Sequence, residues 1–184
     1  MALVPEFEIG VRNAWILTTV LFLLIMLSGL IPNVGNRITP PKEVSKIRNV
    51  MLIIFFAMII ISVFLPLKTG TLWMYIGLAI YLLGFAISIS AFISIAATKP
   101  GKPFTTGIYR YSRHPIALGT VLPFVGASIA SASWLFLLLS AILWIISHFS
   151  VITEERVTTK KFGNNYRDYM NITPRWIGIP KSIK

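Results

Sequence analysis

The sequence predicts an all-α integral membrane protein with about five transmembrane helices, folded as a single membrane domain over residues 1–184. Three observations carry that expectation. Only 12% of the residues are charged against 55% hydrophobic, the apolar residues gather into long runs, and the positive residues gather in alternate connections. Soluble domains carry about a quarter charged residues, so this chain has too little polar surface to cover a water-soluble globule. It contains no cysteine, which excludes a disulfide framework, thiol catalysis and thiolate metal sites. The formal charge of +11 would suit nucleic acid, anionic lipid or an anionic ligand. In so apolar a chain it reads as topology, because Lys and Arg collect in cytoplasmic loops; no nucleic-acid partner is expected.

The first span is read at about 14–31. Glu6 and Glu8 precede it where a cleavable signal would carry positive charge, and the apolar run is long enough to cross. The second span is read at about 50–67 and the third at about 72–97. At 1.5 Å per residue the third would be roughly 39 Å long and can cross with tilt. Gly77, Gly84, Ser88 and Ser94 place small residues along it at helical spacing, which lets another helix come close.

The fourth apolar run, about 116–152, would reach roughly 55 Å as one helix, far beyond a 30 Å hydrocarbon core. Ser131-Ala132-Ser133 interrupts it, so it divides into a hairpin of helix 4 (116–130) and helix 5 (134–152). Pro123 is tolerated in a membrane helix when neighbours satisfy the freed carbonyl. The remainder, 153–184, is expected to be a cytosolic amphipathic segment. Phe162, Tyr166 and Tyr169 form one helical stripe, with Lys160, Lys161, Arg167 and Asp168 opposite, although Gly163-Asn164-Asn165 weakens it as a helix. With these spans every one of the 17 Lys and Arg except Arg12 and Lys68 falls in the first loop, the third loop or the tail. That asymmetry predicts the N-terminus outside and the C-terminus in the cytoplasm.

Candidate chemistry lies where the third loop and the tail share the cytosolic face. The loop ends Gly107-Ile108-Tyr109-Arg110-Tyr111-Ser112-Arg113-His114-Pro115. Proline suits the first turn of a helix, so His114 falls near the cap, where free backbone N–H groups favour an anion and Arg113 adds a bidentate fork. The same residues also read as an interfacial Arg-aromatic belt at the headgroups. Glu154 and Glu155 are adjacent carboxylates at a membrane edge that call for a cation. The alternative is a solvated helix end.

Together with Gly119, Glu154-Glu155, Phe162-Gly163, Tyr166, Tyr169 and Pro174-Arg175-Trp176, the loop resembles the integral membrane methyltransferases, which include isoprenylcysteine carboxyl methyltransferase and the phospholipid methyltransferase-like proteins. The likeness covers roughly 103–180. It implies an S-adenosylmethionine-dependent enzyme that methylates a lipophilic acceptor, an isoprenylcysteine-like carboxylate or a lipid, at the cytosolic face. The resemblance assigns cofactor contacts to Gly107, Tyr109, His114, Pro115, Leu118, Glu154, Glu155 and Tyr166, and catalytic roles to Arg113, His114 and Glu155. No metal is required. Partners would be membrane lipids and a lipid, small-molecule or prenylated-peptide substrate. One departure is Ala117, where the family often has tyrosine. Two other readings are an NADPH-dependent sterol-reductase-like enzyme, disfavoured by the acidic pair, and a non-enzymatic protein that binds anionic lipid. His148, inside helix 5, could pair with His114 as a haem ligand, though a buried hydrogen-bonded histidine is the plainer interpretation.

Overall fold

The computed structural model describes residues 7–31, 34, 44–99 and 101–181. The described residues are all-helical in their regular elements: α1 Trp15–Ser28, α2 Ser45–Ser62, α3 Leu72–Ala97, a short 3-10 turn at Gly107–Arg110, α4 Pro115–Ala130, α5 Trp134–Phe162 and α6 Asn164–Ile172. By length and composition α2, α3 and α5 can each cross a membrane, whereas α1 and α4 are shorter apolar helices. Glu6, Arg37, Lys42, Glu43 and Lys184 lie outside the described residues.

Helix ends differ from the apolar runs for identifiable reasons. α2 starts at Ser45, because Lys46, Arg48 and Asn49 continue a helix even though they end the apolar stretch. It stops at Ser62 because Pro66 disfavours helix before it and the chain there is pinned to the start of α1. The Ala14 amide donates to the Leu65 carbonyl at 2.8 Å and the Leu67 amide to the Arg12 carbonyl at 3.0 Å. The Asn13 side chain donates to the Val63 carbonyl at 2.7 Å. α5 runs ten residues past Ile152, since nothing breaks a helix until Gly163, which adopts φ 59°. Glu154 and Glu155 therefore stand within α5 and not in a tail after it. Phe162 ends α5 while Tyr166 and Tyr169 belong to α6, so the expected single aromatic stripe is divided between two helices.

The tightest packing is between α3 and α4, at the small-residue stripe. Gly77 faces the backbone of Gly126 and Ala130, Gly84 faces the ring of Pro123, and Ser88 faces Gly119. Around Phe124, fully buried in α4, rings from α2 and α5 close edge-on: Phe55 at 5.3 Å and Phe136 at 6.1 Å. Polar groups inside this apolar packing find partners, as they must where water cannot supply them. Thr18 and Ser62 share a hydrogen bond of 2.7 Å between α1 and α2, Ser128 and Ser140 one of 3.1 Å between α4 and α5, and the Tyr81 hydroxyl donates to the Leu17 carbonyl at 2.8 Å. Residues 131–133 join α4 to α5, and the Ser133 hydroxyl caps α5 by accepting from the Phe136 amide at 3.3 Å. The ends of α3 and α5 and the start of α4 meet at one pole of this bundle.

Candidate active site

At that pole the chain leaves α3 through a turn that only glycine permits. Gly107 has φ 63°, and any Cβ there would collide with the Ser94 hydroxyl of α3. The Ile108 amide donates to the same hydroxyl at 3.4 Å. This fold-back buries Tyr109 against Phe104, ring centroids 5.5 Å apart. Ser112 then sets the entry to α4 by accepting from the His114 amide at 3.2 Å. His114 occupies the N-cap of α4 and Pro115 its first position, the arrangement predicted for Arg-His-Pro.

The residues after α6 lie along this loop like a strap. The Arg113 amide donates to the Pro174 carbonyl at 3.1 Å, the Gly178 amide to the Tyr111 carbonyl at 3.0 Å, and the Lys181 amide to the Ile172 carbonyl at 2.9 Å. From α6 the Tyr169 hydroxyl donates to the Tyr109 carbonyl at 2.6 Å. Changing Tyr169 to Phe removes this buried bond and leaves that carbonyl without its phenol partner. The expected loss is about 1–2 kcal/mol, read as a lowered midpoint of thermal unfolding with the helical signal of the folded protein unchanged.

Glu155 joins all three segments. Its side chain is 8% exposed. Arg175 of the strap grips it with Nη2 at 2.8 Å and Nε at 3.2 Å from Oε2. Arg113 of the loop lies 3.2 Å from Oε1, and His114 Nε2 also lies 3.2 Å from Oε1. Burial pushes the Glu155 carboxyl up, but the His114 and Arg175 hydrogen bonds and the Arg113 charge outweigh it and hold the group at about 2. It is a permanent carboxylate with its lone pairs engaged. Glu154, one residue away, is freer: its side chain is 36% exposed and its contact with His114 Nδ1 is long, 3.8 Å. The Arg113 side chain is only 11% exposed, and its Nε is a buried donor with no partner among the described residues. Burial raises the phenols of Tyr109, Tyr166 and Tyr169, so all three stay neutral at physiological pH.

Of the residues singled out in the sequence, Arg113, His114, Glu154 and Glu155 converge here. Tyr166 is buried nearby on α6, Tyr109 and Pro115 are buried in the loop and at the start of α4, and Leu118 is buried one turn further on. Gly107 serves the fold-back against Ser94. Ala117 is half-buried. Two participants had no role assigned from the sequence. Arg175 is one. The other is Trp176, whose ring packs 4.2 Å from that of Trp144, 5.8 Å from His148 and 6.5 Å from His114. The available signals were Pro174-Arg175-Trp176 itself and the run Trp144, His148, Val151, Glu155, which shares one face of α5.

The fold and this pole define a helical membrane protein with a buried ionic cluster at one end of its apolar helices. The chain belongs to the phospholipid methyltransferase family, whose characteristic sequence matches residues 72–165, over half of it. It is similar to the protein-S-isoprenylcysteine O-methyltransferase of Schizosaccharomyces pombe (strain 972), with 33% identity over 94 residues. That match covers 49% of this chain and 39% of the yeast protein, so the chain corresponds to well under half of that relative's length. Arg113, His114, Glu154 and Glu155 lie within the family match, while Arg175 and Trp176 lie beyond it.

Proposed function

We propose that the protein transfers a methyl group from S-adenosylmethionine to a lipophilic acceptor, an isoprenylcysteine-like carboxylate or a lipid, at the cytosolic face of a membrane. In this reading five helices cross the bilayer, α4 and α5 as a hairpin, with the N-terminus outside and the Glu155 cluster facing the cytosol. The observation that carries it is the convergence of loop, α5 and strap on one buried carboxylate at the end of the apolar helices.

The residues fit the cofactor. Its carboxylate suits the start of α4, where free amides and the unpartnered Arg113 Nε offer donors. Its ammonium suits the freer Glu154, and its sulfonium suits the faces of His114 and Trp176. By the family resemblance Gly107, Tyr109, Pro115, Leu118 and Tyr166 would also contact it. When bound, the cofactor supplies a methyl already activated as a leaving-group adduct, so the protein's work is alignment and exclusion of water. Glu155 acts as a positioning group, because a carboxylate held at about 2 takes up no proton at neutral pH. His114 is the candidate for a proton where the acceptor is an amine; a carboxylate acceptor requires none.

Calorimetry on the purified protein is expected to show one saturable S-adenosylmethionine site. Glu154→Gln should weaken it about tenfold, the worth of one charge-assisted hydrogen bond. Binding of NADPH without S-adenosylmethionine, or wild-type affinity in the Glu154→Gln protein, would refute the assignment. Labelled cofactor with a total membrane extract then identifies the acceptor.

A further inference from the structure

His148 is an ionisable residue in the apolar stretch of α5, seven residues and roughly 10 Å before Glu155 along the helix. Residues of this kind inside a membrane span are costly and tend to mark a functional site. Its ring is half-buried and packs against Trp176 at 5.8 Å and Phe149 at 6.1 Å, yet its nitrogens have no hydrogen-bond partner among the described residues. The serines of the same helices satisfy themselves on backbone carbonyls, as Ser147 does at 2.8 Å; an imidazole is too long and rigid to do so. Trp176 is held at this depth by its neighbour Arg175, clamped on Glu155, and its ring also reaches His114. One aromatic ring thus touches both His114 of the ionic cluster and His148.

We infer that Trp144, His148 and Trp176 form the acceptor subsite, in which His148 hydrogen-bonds the polar head of a lipid whose tail stays among the helices. This rests on the methyltransferase reading and adds the residues that recognise the acceptor. The matching ligand chemistry is a hydrogen-bonding head, amine or carboxylate, at the end of an apolar chain. The two indoles, packed on each other at 4.2 Å, supply apolar surface for the carbons next to the head, and the imidazole nitrogens supply its hydrogen-bonding partner. His148 is thereby a specificity-determining residue; Trp176 couples this subsite to the ionic cluster through its contact with His114.

The test is calorimetry on the purified full chain in detergent with three probes: S-adenosylmethionine, an N-acetyl-S-farnesylcysteine carboxylate and a short-chain phosphatidylethanolamine. His148→Phe keeps the ring packing and removes both nitrogens, and His148→Gln keeps a hydrogen-bonding end. The lipid probe that the wild type prefers, which identifies the head, should bind His148→Phe about fivefold more weakly. His148→Gln should retain most of that affinity, and S-adenosylmethionine binding should change in neither variant. Equal lipid affinity in wild type and His148→Phe would make His148 an interfacial anchor and overturn the subsite. So would a parallel loss of cofactor affinity, or a wild type that binds cofactor but neither lipid. A wild type that binds a lipid probe through His148 but no S-adenosylmethionine would refute the methyltransferase reading and leave the lipid site standing.

Discussion

Replacing Glu155 with alanine is expected to destabilise the protein by about 3–5 kcal/mol and, on the proposed methyltransferase reading, to abolish S-adenosylmethionine binding. Removing one partner of a buried ion pair is this costly because the other charge is left without compensation. Here the residue left behind is chiefly Arg113, 11% exposed and already lacking a partner at Nε. Arg175 is 35% exposed and can turn to water, so Arg175→Ala should cost less than Glu155→Ala. The double variant should cost less than the sum of the two, with a coupling of about 1–3 kcal/mol. Glu155→Gln keeps the shape and allows a pH test. The folded carboxyl sits at about 2 against an ordinary 4.5, so the native state favours the ionised form. Its stabilisation is complete above 4.5 and is lost as pH falls from there toward 2. The difference in melting temperature between wild type and Glu155→Gln should therefore shrink as pH falls below about 4.5. A difference that persists unchanged to pH 3 would mean that the glutamate contributes shape and not charge.

The all-helical, apolar character of the chain was legible in the sequence because its apolar residues form long runs, and three of the helices are long and apolar enough to cross a membrane. Helix ends were less legible, since hydropathy and helix propensity stop at different places. At Ile152 the chain becomes polar yet remains a good helix, and only Gly163, with its positive φ, ends it. For α2 the end is set by Pro66 and by bonds to residues some fifty positions earlier, which no local pattern records. The site divides along the same line. Arg113, His114 and Pro115 announce a helix start, and an adjacent pair of acids in a chain with only six Asp and Glu draws attention by scarcity. The partnership of Glu155 with Arg175 is tertiary. It depends on the break at Gly163 turning α6 back, so that the strap can lie along the loop.

Substituting alanine for Gly126 is expected to be among the most damaging small changes in the apolar bundle, costing about 3 kcal/mol or more and loosening the site at a distance. A Cβ at Gly126 would stand 2.5 Å from both the Gly77 carbonyl oxygen and the Tyr81 amide nitrogen of α3. Both are backbone atoms of a helix, so no rotamer change relieves the clash and the helices must separate; overpacking that forces backbone shifts costs about 1–3 kcal/mol or more. Separation at this point matters more than in water. Helices among lipid tails gain little from apolar burial itself and depend on close packing, and α3 and α4 are held by the same stripe down to Ser88 against Gly119, while Ser94 of α3 meets Gly107 in the turn before α4. The loop that carries Arg113 and His114 hangs between these two helices, so a shift of α4 against α3 moves Arg113 and His114 relative to Glu155 on α5. Gly126→Ala should therefore lower the melting temperature and, on the proposed reading, the S-adenosylmethionine affinity. Gly29→Ala is the control: its Cβ would meet only the Met26 carbonyl oxygen, at 3.3 Å, and should change stability by less than about 1 kcal/mol. Equal effects at the two positions would show that α3 and α4 can part without consequence, and that the small-residue stripe does not hold the pole of the bundle together.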